Sequence, residues 1–180
     1  MPISIHFIFY DVEYAVSNEV SIGAMTSFYG APFLLSLKYS KEIQKDLHLG
    51  LGLLAGPLLL FKPSTGFITV PYGSLTFGGR RNNFTLTGGY PNMSIENSGS
   101  GGKFVVSIGG MAGISKSSFF VFDSFIFNAG NMNFFFLMPG IRVENQRNAN
   151  AWSFHLGAAG ANGEIVPLPV PVITYAHAFD

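Results

Sequence analysis

Large apolar residues alternate with glycine or polar residues along most of this chain. In residues 47–60, LHLGLGLLAGPLLL, every second position from Leu47 to Leu53 is leucine, and the positions between are histidine and glycine. A repeat of two residues is typical of a β-strand, whereas glycine and proline disfavour a helix. The second face is mostly glycine instead of the charged or polar residues of a water-facing surface, which indicates a narrow, crowded interior.

The same alternation recurs in eleven segments of about 8 to 14 residues, near the length of a tilted strand that crosses a membrane. We predict strands at 3–16, 20–28, 32–40, 47–60, 67–78, 84–91, 103–115, 118–127, 133–144, 151–162 and 166–179. Short polar connections alternate with longer connections rich in glycine and proline. This arrangement predicts an all-β protein, an antiparallel up-and-down transmembrane β-barrel whose short turns face the periplasm.

The strand count and the chain start point to one explanation. Eleven strands would place the two chain ends at opposite ends of the barrel, whereas single-chain bacterial barrels have an even number of strands. The start MPISIHF carries neither the basic segment nor the cleavage site of a signal peptide. We therefore expect residues 1–180 to form a single β-barrel domain that lacks its signal peptide and first strand, with twelve strands in the complete protein.

Aromatic residues gather near the short-turn ends of the predicted strands. Rings at that level would lie at the boundary between lipid and water and form an aromatic girdle. The predicted girdle consists of Tyr14, Tyr39, Phe77, Phe84, Phe120, Trp152 and Phe179. The alternative is a set of ordinary core aromatics in a soluble barrel.

Charged residues are scarce, at 11% of the chain against about 25% in an average protein. The charges inside the predicted strands, away from their end residues, are Asp11, Glu13, Lys38, Asp123 and Arg142. A lipid-facing lysine or arginine costs about 2–4 kcal/mol at the membrane midplane, so we expect all five to face the lumen. There they would pair in a salt-bridge cluster that partly plugs the barrel. A selectivity filter or ligand site, or a catalytic site, are the alternatives for these residues.

Composition narrows the remaining chemistry. No apolar run reaches the roughly 18 to 20 residues of a membrane helix, and a net charge of zero disfavours nucleic-acid binding. The absence of cysteine excludes disulfides and thiolate chemistry. The four histidines, His6, His48, His155 and His177, lack the spacing of metal ligands. We expect no cofactor and no metal, with outer-membrane lipid and a small solute or ligand as partners.

Ser153, His155 and Asp123 have the residue types of a catalytic triad. Ser153 and His155 share the lumen face, and Asp123 points inward two strands away. Two residues along a strand span about 7 Å, which exceeds the hydrogen-bond reach that a catalytic triad requires. The sequence therefore predicts no enzyme.

Three segments resemble bacterial outer-membrane β-barrel proteins, particularly small barrels common in Bacteroidota. Residues 12–24, VEYAVSNEVSIGA, and 72–90, YGSLTFGGRRNNFTLTGGY, are similar to their hairpins. Residues 171–179, PVITYAHAF, resemble a closing strand, although Asp180 follows the aromatic residue at which many barrels end. The resemblance implies the barrel fold and a bacterial outer-membrane location, and it implies no particular activity.

Three functions remain open. A barrel of ten to twelve strands has an interior partly filled by side chains, so an outer-membrane barrel of this size would have a structural, binding or narrow-pore role. A soluble lipocalin-like barrel that binds an apolar ligand is the alternative. A lipid-modifying barrel enzyme is the third.

Overall fold

The structure, a computed structural model, describes residues 2–6, 9–27, 33–58, 66–95, 98–101, 104–129, 132–145, 150–162 and 164–178. None of these residues belongs to a helix that could span a membrane. The strands in these ranges are β1 (Pro2–His6), β2 (Phe9–Ala15), β3 (Val20–Ser27), β4 (Phe33–Gln44), β5 (Leu47–Leu58), β6 (Gly66–Gly78), β7 (Asn82–Gly89), β8 (Asn92–Ile95), β9 (Ser98–Gly101), β10 (Val105–Gly113), β11 (Ser118–Ala129), β12 (Met132–Asn145), β13 (Asn150–Ala161) and β14 (Glu164–Ala178).

Twelve of these strands close into an antiparallel ring. Neighbours in sequence pair with one another from β1 to β7 and from β10 to β14, while β7 pairs with β10. The ring closes where β1 pairs with β14, with Ile3 opposite His177. The remaining two strands, β8 and β9, form a small hairpin that pairs with the first residues of β6. The up-and-down β-barrel predicted from the sequence is confirmed.

The first predicted strand, 3–16, is two strands in the structure. β1 and β2 pair with each other in antiparallel register, with Ile3 opposite Val12 and Ile5 opposite Tyr10. The sequence carries a signal for this reversal, because the apolar residues change phase from odd positions at Ile3 and Ile5 to even positions at Tyr10 and Val12. A strand that continued without interruption would keep one phase.

Both ends of the described barrel lie on the same side, which corrects the placement expected from an odd strand count. Pro2 of β1 is opposite Ala178 of β14, at the end of the barrel that carries the short turns. The two chain ends share one side because the segment 3–16 forms two antiparallel strands. With this added strand the ring has an even number of strands. A signal peptide and a further strand upstream stay predictions.

A second difference concerns 92–102, which was expected to be a loop. Asn92–Ile95 and Ser98–Gly101 form β8 and β9, and Asn92 lies opposite Gly101. The segment NMSIENSGSGG is rich in glycine, serine and asparagine, and such a composition predicts turns better than it predicts short strands.

Local hydrogen bonds explain why two of the short turns form. The amide of Val16 donates to the carbonyl of Val20, and the amide of Ile114 donates to the carbonyl of Ser118. In the first turn the Ser17 hydroxyl accepts from the amide of Val20, and in the second the Ser115 hydroxyl accepts from the amide of Ser118. Serine satisfies backbone donors that would otherwise have no partner in the turn. In both turns, therefore, a serine within the turn itself stabilises the reversal of the chain.

The barrel turns its large apolar side chains outward. Leu51 is 51% exposed, and Leu37, Leu53 and Phe154 are exposed to a similar degree. The buried apolar residues among those described are few, and they are Leu34, Phe119, Val121 and Ala151. All four share the inward face by strand parity. The outward position of most large apolar side chains is the opposite of the arrangement in a soluble lipocalin-like barrel, in which the apolar face lines the interior.

Candidate functional site

The inward face of the barrel holds a cavity whose lining residues are mostly polar, with Met111 and Val121 among the apolar ones. Its volume is about 440 Å³, within the range of ligand pockets. Strands β7, β10, β11, β12 and β13 supply its walls. The neutral polar side chains that line it are Asn83, Thr85, Thr87, Ser107 and Ser153, and the ionisable ones are Asp123, Arg142 and His155.

One side of the ring carries no ionic charge. Strands β5, β6, β7 and β10 contain no aspartate, glutamate, lysine or arginine. Inward positions of β6, β7 and β10 hold hydroxyl groups, and the hydroxyls of Thr76 and Thr85 lie 2.9 Å apart across neighbouring strands. Gly52 lies directly opposite Tyr72, and a Cβ atom there would meet the tyrosine ring. Glycine on β5 thus makes room for the polar side chains of β6.

The five residues of the predicted charge cluster lie on two sides of the ring. Glu13 and Lys38 belong to β2 and β4, whereas Asp123 and Arg142 belong to β11 and β12, with at least three strands between the two groups. Asp123 and Arg142 line the cavity. Glu13 accepts a hydrogen bond from the Ser21 hydroxyl on the neighbouring strand. Asp11 is part of β2, and its side chain lies outside the described residues.

Arg142 pairs with a residue that the sequence prediction left out. Its Nε lies 3.0 Å from Oε1 of Glu144, two positions along β12 on the same inward face. The prediction had assigned Glu144 to the end of a strand and to a turn, whereas β12 continues to Asn145. Because this ion pair runs along one strand and does not cross the lumen, the structure does not support the predicted salt-bridge plug.

The three residues with the types of a catalytic triad lie together in the cavity, but they do not have the geometry of a triad. Ser153, His155 and Asp123 all line it. Nδ1 of His155 lies 3.3 Å from the carbonyl oxygen of Met138, so a backbone group occupies the position that a carboxylate takes in a triad. No group of His, Asp or Glu side chains in the described ranges is arranged to hold a metal ion.

The described residues of the predicted aromatic girdle lie on the outward face. Tyr14, Phe77, Phe84 and Phe120 are exposed, and Trp152, the single tryptophan of the chain, is 49% exposed. Phe77 and Phe84 lie directly opposite each other on β6 and β7, next to a short turn. Tyr39 is half-buried, and Phe179 lies outside the described residues. Their position at a lipid boundary stays a prediction.

A second group of aromatic residues faces inward, and the sequence prediction did not identify it. Phe125 on β11 lies directly opposite Phe136 on β12, and both share the face of Asp123 and Arg142 by strand parity. Phe136 is 39% exposed, and Phe125 and Phe134 are half-buried. Counting positions from Arg142 along the strand would have placed Phe136 in the lumen.

Solved structures of outer-membrane proteins have a fold similar to that of this chain. No protein-family model and no curated protein sequence matches the chain. Among solved structures, the KdgM porin in complex with disordered oligogalacturonate is similar with a TM-score of 0.65 and 6% identity, over 99% of this chain and 97% of the porin. The NanC porin is similar with a TM-score of 0.59 and 12% identity, over 99% and 98% of the two chains.

A third similar structure is OmpT, an outer membrane protein of Vibrio cholerae, with a TM-score of 0.53 and 11% identity. This chain covers 64% of OmpT, and 95% of this chain is matched. The chain therefore has the fold of bacterial outer-membrane β-barrels. That agrees with the fold and the location predicted from the sequence.

Proposed function

We propose that this chain forms a narrow pore in the bacterial outer membrane, which binds and passes a small polar solute. The observation that carries the proposal is the polar cavity of about 440 Å³ inside a ring whose outer face is apolar. An apolar outer belt fits hydrocarbon, and a polar interior fits water and a solute. A solved porin of similar fold is described in complex with oligogalacturonate, which supports passage or binding of a solute.

The strand number supports a narrow passage. Barrels of eight strands are filled by side chains, whereas porins of 16 to 18 strands hold an open aqueous channel. The twelve-strand ring of this chain lies between these cases. Inward side chains such as Tyr72 and Phe125 occupy part of its interior, so we expect low conductance and close contact between the solute and the wall.

Conductance of the purified protein in planar lipid bilayers tests the proposal. We expect steady single-channel currents that Thr85→Trp lowers, because Thr85 lines the cavity and an indole there would fill it. Phe84→Trp is the matched control, since Phe84 is the preceding residue of β7 and faces outward. Absence of current from heat-modifiable, folded protein would overturn the pore. Equal currents from the two variants would contradict the proposal that the solute passes through the cavity, because the cavity would then lie outside the conducting path.

We also propose that the barrel has no enzymatic activity and that its source is a bacterium of the Bacteroidota type. The first rests on the absence of triad geometry at His155 and on the porin names of two structures with the same fold. The second rests on the hairpins at residues 12–24 and 72–90. Unchanged lipid composition in cells with and without the protein would agree with the absence of lipid-modifying activity.

A further inference from the structure

We propose that the lumen selects uncharged saccharides over acidic ones. The inference rests on the proposed pore function and names the class of solute that the pore takes. It depends on three features of the inward face: the balance of its charges, a pair of phenylalanine rings, and a row of hydroxyl groups beside those rings.

The charges of the lumen do not favour an anion. Among inward-facing strand residues whose side chains are described, the acidic ones are Glu13, Glu42, Asp123 and Glu144, and the basic ones are Lys38 and Arg142. One further base, Arg81 of a short turn, lies over the inward ring of Phe119, so acids still outnumber bases. Arg142 already pairs with Glu144 at 3.0 Å, which leaves its guanidinium partly neutralised. A narrow polar pathway takes its selectivity from the sign of the charges that ring it. A polyanion such as an acidic oligosaccharide would therefore meet no net positive potential here.

The inward phenylalanines offer a platform for a sugar ring. Phe125 and Phe136 lie opposite each other on neighbouring strands. The Cβ atoms of such directly opposed residues are typically about 5 Å apart. The C–H face of a pyranose is apolar, and the face of an aromatic ring carries negative charge. Burial and the ring quadrupole therefore both favour stacking of the two. Phe136 is on the inward face by strand parity and is 39% exposed, so part of its surface is open to such a partner.

Hydroxyl groups continue the same row around the wall. Phe125 lies opposite Ser107 of β10, Ser107 lies opposite Thr87 of β7, and Thr87 lies opposite Ser74 of β6. Going from β6 to β12, one row of directly opposed inward positions thus carries three hydroxyls followed by two phenyl rings. Neutral donors and acceptors of this kind match the hydroxyl groups of a saccharide without requiring charge.

A carboxylate lies one level away from the rings. Asp123 is two residues from Phe125 on the same face, about 7 Å along the strand. Thr85 lies across Gly109 from Asp123, and both line the cavity. A sugar stacked on Phe136 would therefore have the Asp123 carboxylate on the neighbouring strand, and Thr85 lies further round the wall, within reach of the next sugar of a chain. A carboxylate accepts hydrogen bonds from sugar hydroxyls and repels a second carboxylate, which discriminates between neutral and acidic sugars.

The test measures block of the single-channel current by maltotriose, an uncharged probe, and by trigalacturonate, an acidic probe of the same length. We expect maltotriose to block at lower concentration than trigalacturonate. Phe136→Ala and Phe136→Leu should each raise the half-blocking concentration of maltotriose roughly fivefold to tenfold, because both remove the ring face. Phe136→Tyr should retain the block. Phe135→Ala is the matched control, since Phe135 is the preceding residue and faces outward.

The outcomes separate this inference from the pore itself. A conducting protein that trigalacturonate blocks better than maltotriose overturns the selectivity and leaves the pore in place. Equal effects of Phe136→Ala and Phe135→Ala in a conducting protein overturn the role of the ring. Absence of conductance removes the proposed function and this inference together. Heat-modifiable migration of each variant shows whether it is folded before its currents are compared.

Discussion

At Gly56 the barrel wall has no room for a side chain. Gly56 is buried on the inward face of β5, and a Cβ atom there would meet the carbonyl oxygen of Phe33 and the Cα atom of Leu34 on the neighbouring strand. Both are backbone atoms, so neither can move aside as the end of a flexible side chain would. Close approach of the two strands therefore requires glycine at this position.

Gly56→Ala should destabilise the folded barrel by about 1–3 kcal/mol, the usual cost of forcing extra atoms into a packed site. Gly88→Ala is the control, because no atom lies within 4 Å of the position of its Cβ atom. There we expect no loss, or a gain of about 0.5–1 kcal/mol from the lower conformational freedom of alanine in the unfolded chain. Urea unfolding in lipid vesicles measures both. Equal effects would contradict the close approach of β4 and β5.

Single residues also show the limits of prediction from the sequence. Parity placed the charged residues on the inward face, because a strand admits two faces and lipid excludes charge from one of them. Parity along one strand gives no distance across the lumen, so the separation of the charges on β2 and β4 from those on β11 and β12 could not be predicted. Glu144, the partner of Arg142, is the last residue of the predicted strand 133–144, and its assignment to the following turn left it out of the cluster. The stacking position of Phe136 was missed for a different reason, since phenylalanine was expected only in the outer belt.

At the scale of the strand, the face that a residue takes has a large energetic consequence. Leu37 of β4 is exposed on the outward face, and Lys38, the next residue, is half-buried on the inward face. A shift by one residue exchanges the two faces. The outward face of this strand should therefore reject the lysine that its inward face accepts.

Exchange of the two residues, in the double variant Leu37→Lys with Lys38→Leu, keeps composition and length unchanged. We expect a loss of about 2–4 kcal/mol in the free energy of unfolding, because the lysine then faces hydrocarbon. Lys38→Leu alone is the control and should be nearly neutral, since it removes a charge from the lumen and adds none to the lipid face. Unfolding in vesicles measures both variants. A stable double variant would show that β4 does not face lipid.

The strands themselves were largely predictable, because each membrane-spanning strand repeats one apolar phase over its whole length. The boundary predicted at 67–78 became Gly66–Gly78, and the one at 151–162 became Asn150–Ala161. The region 3–16 differed because the apolar phase changes between Ile5 and Tyr10, where β1 ends and β2 begins. The hairpin of β8 and β9 differed because its residues have turn-forming side chains, and its pairing with β6 depends on the fold of the rest of the chain.

The whole molecule depends on the closure of one ring. β1 lies between β2 and β14, so removing it would leave an open edge on each of these strands. Unpaired backbone groups in lipid cost several kcal/mol each, and for this reason strands span membranes only in closed barrels. The hairpin of β8 and β9 extends the β7–β10 hairpin, because β6 pairs on one edge with β7 through residues 72–78 and with β8 through residues 66–69. It should not be required for closure.

Deletion of residues 1–6 should abolish heat-modifiable migration on gels, because the barrel cannot close. Replacement of residues 93–101 by a short glycine-serine linker should preserve it, since the pairing of β7 with β6 and with β10 remains. Migration before and after heating distinguishes the two. A closed barrel from the first variant would contradict the assignment of β1 to the ring.

The central claim is that apolar side chains contact lipid and polar side chains line a water-filled lumen. The chain contains no cysteine, so single cysteines can be introduced without a background. The most direct measurement is the reaction of single cysteines at Phe84, Thr85, Leu86 and Thr87 of β7, in lipid vesicles, with a charged, water-soluble thiol reagent. We predict reaction at positions 85 and 87 and protection at 84 and 86. Protection at 85 and 87 with reaction at 84 and 86 would contradict the account.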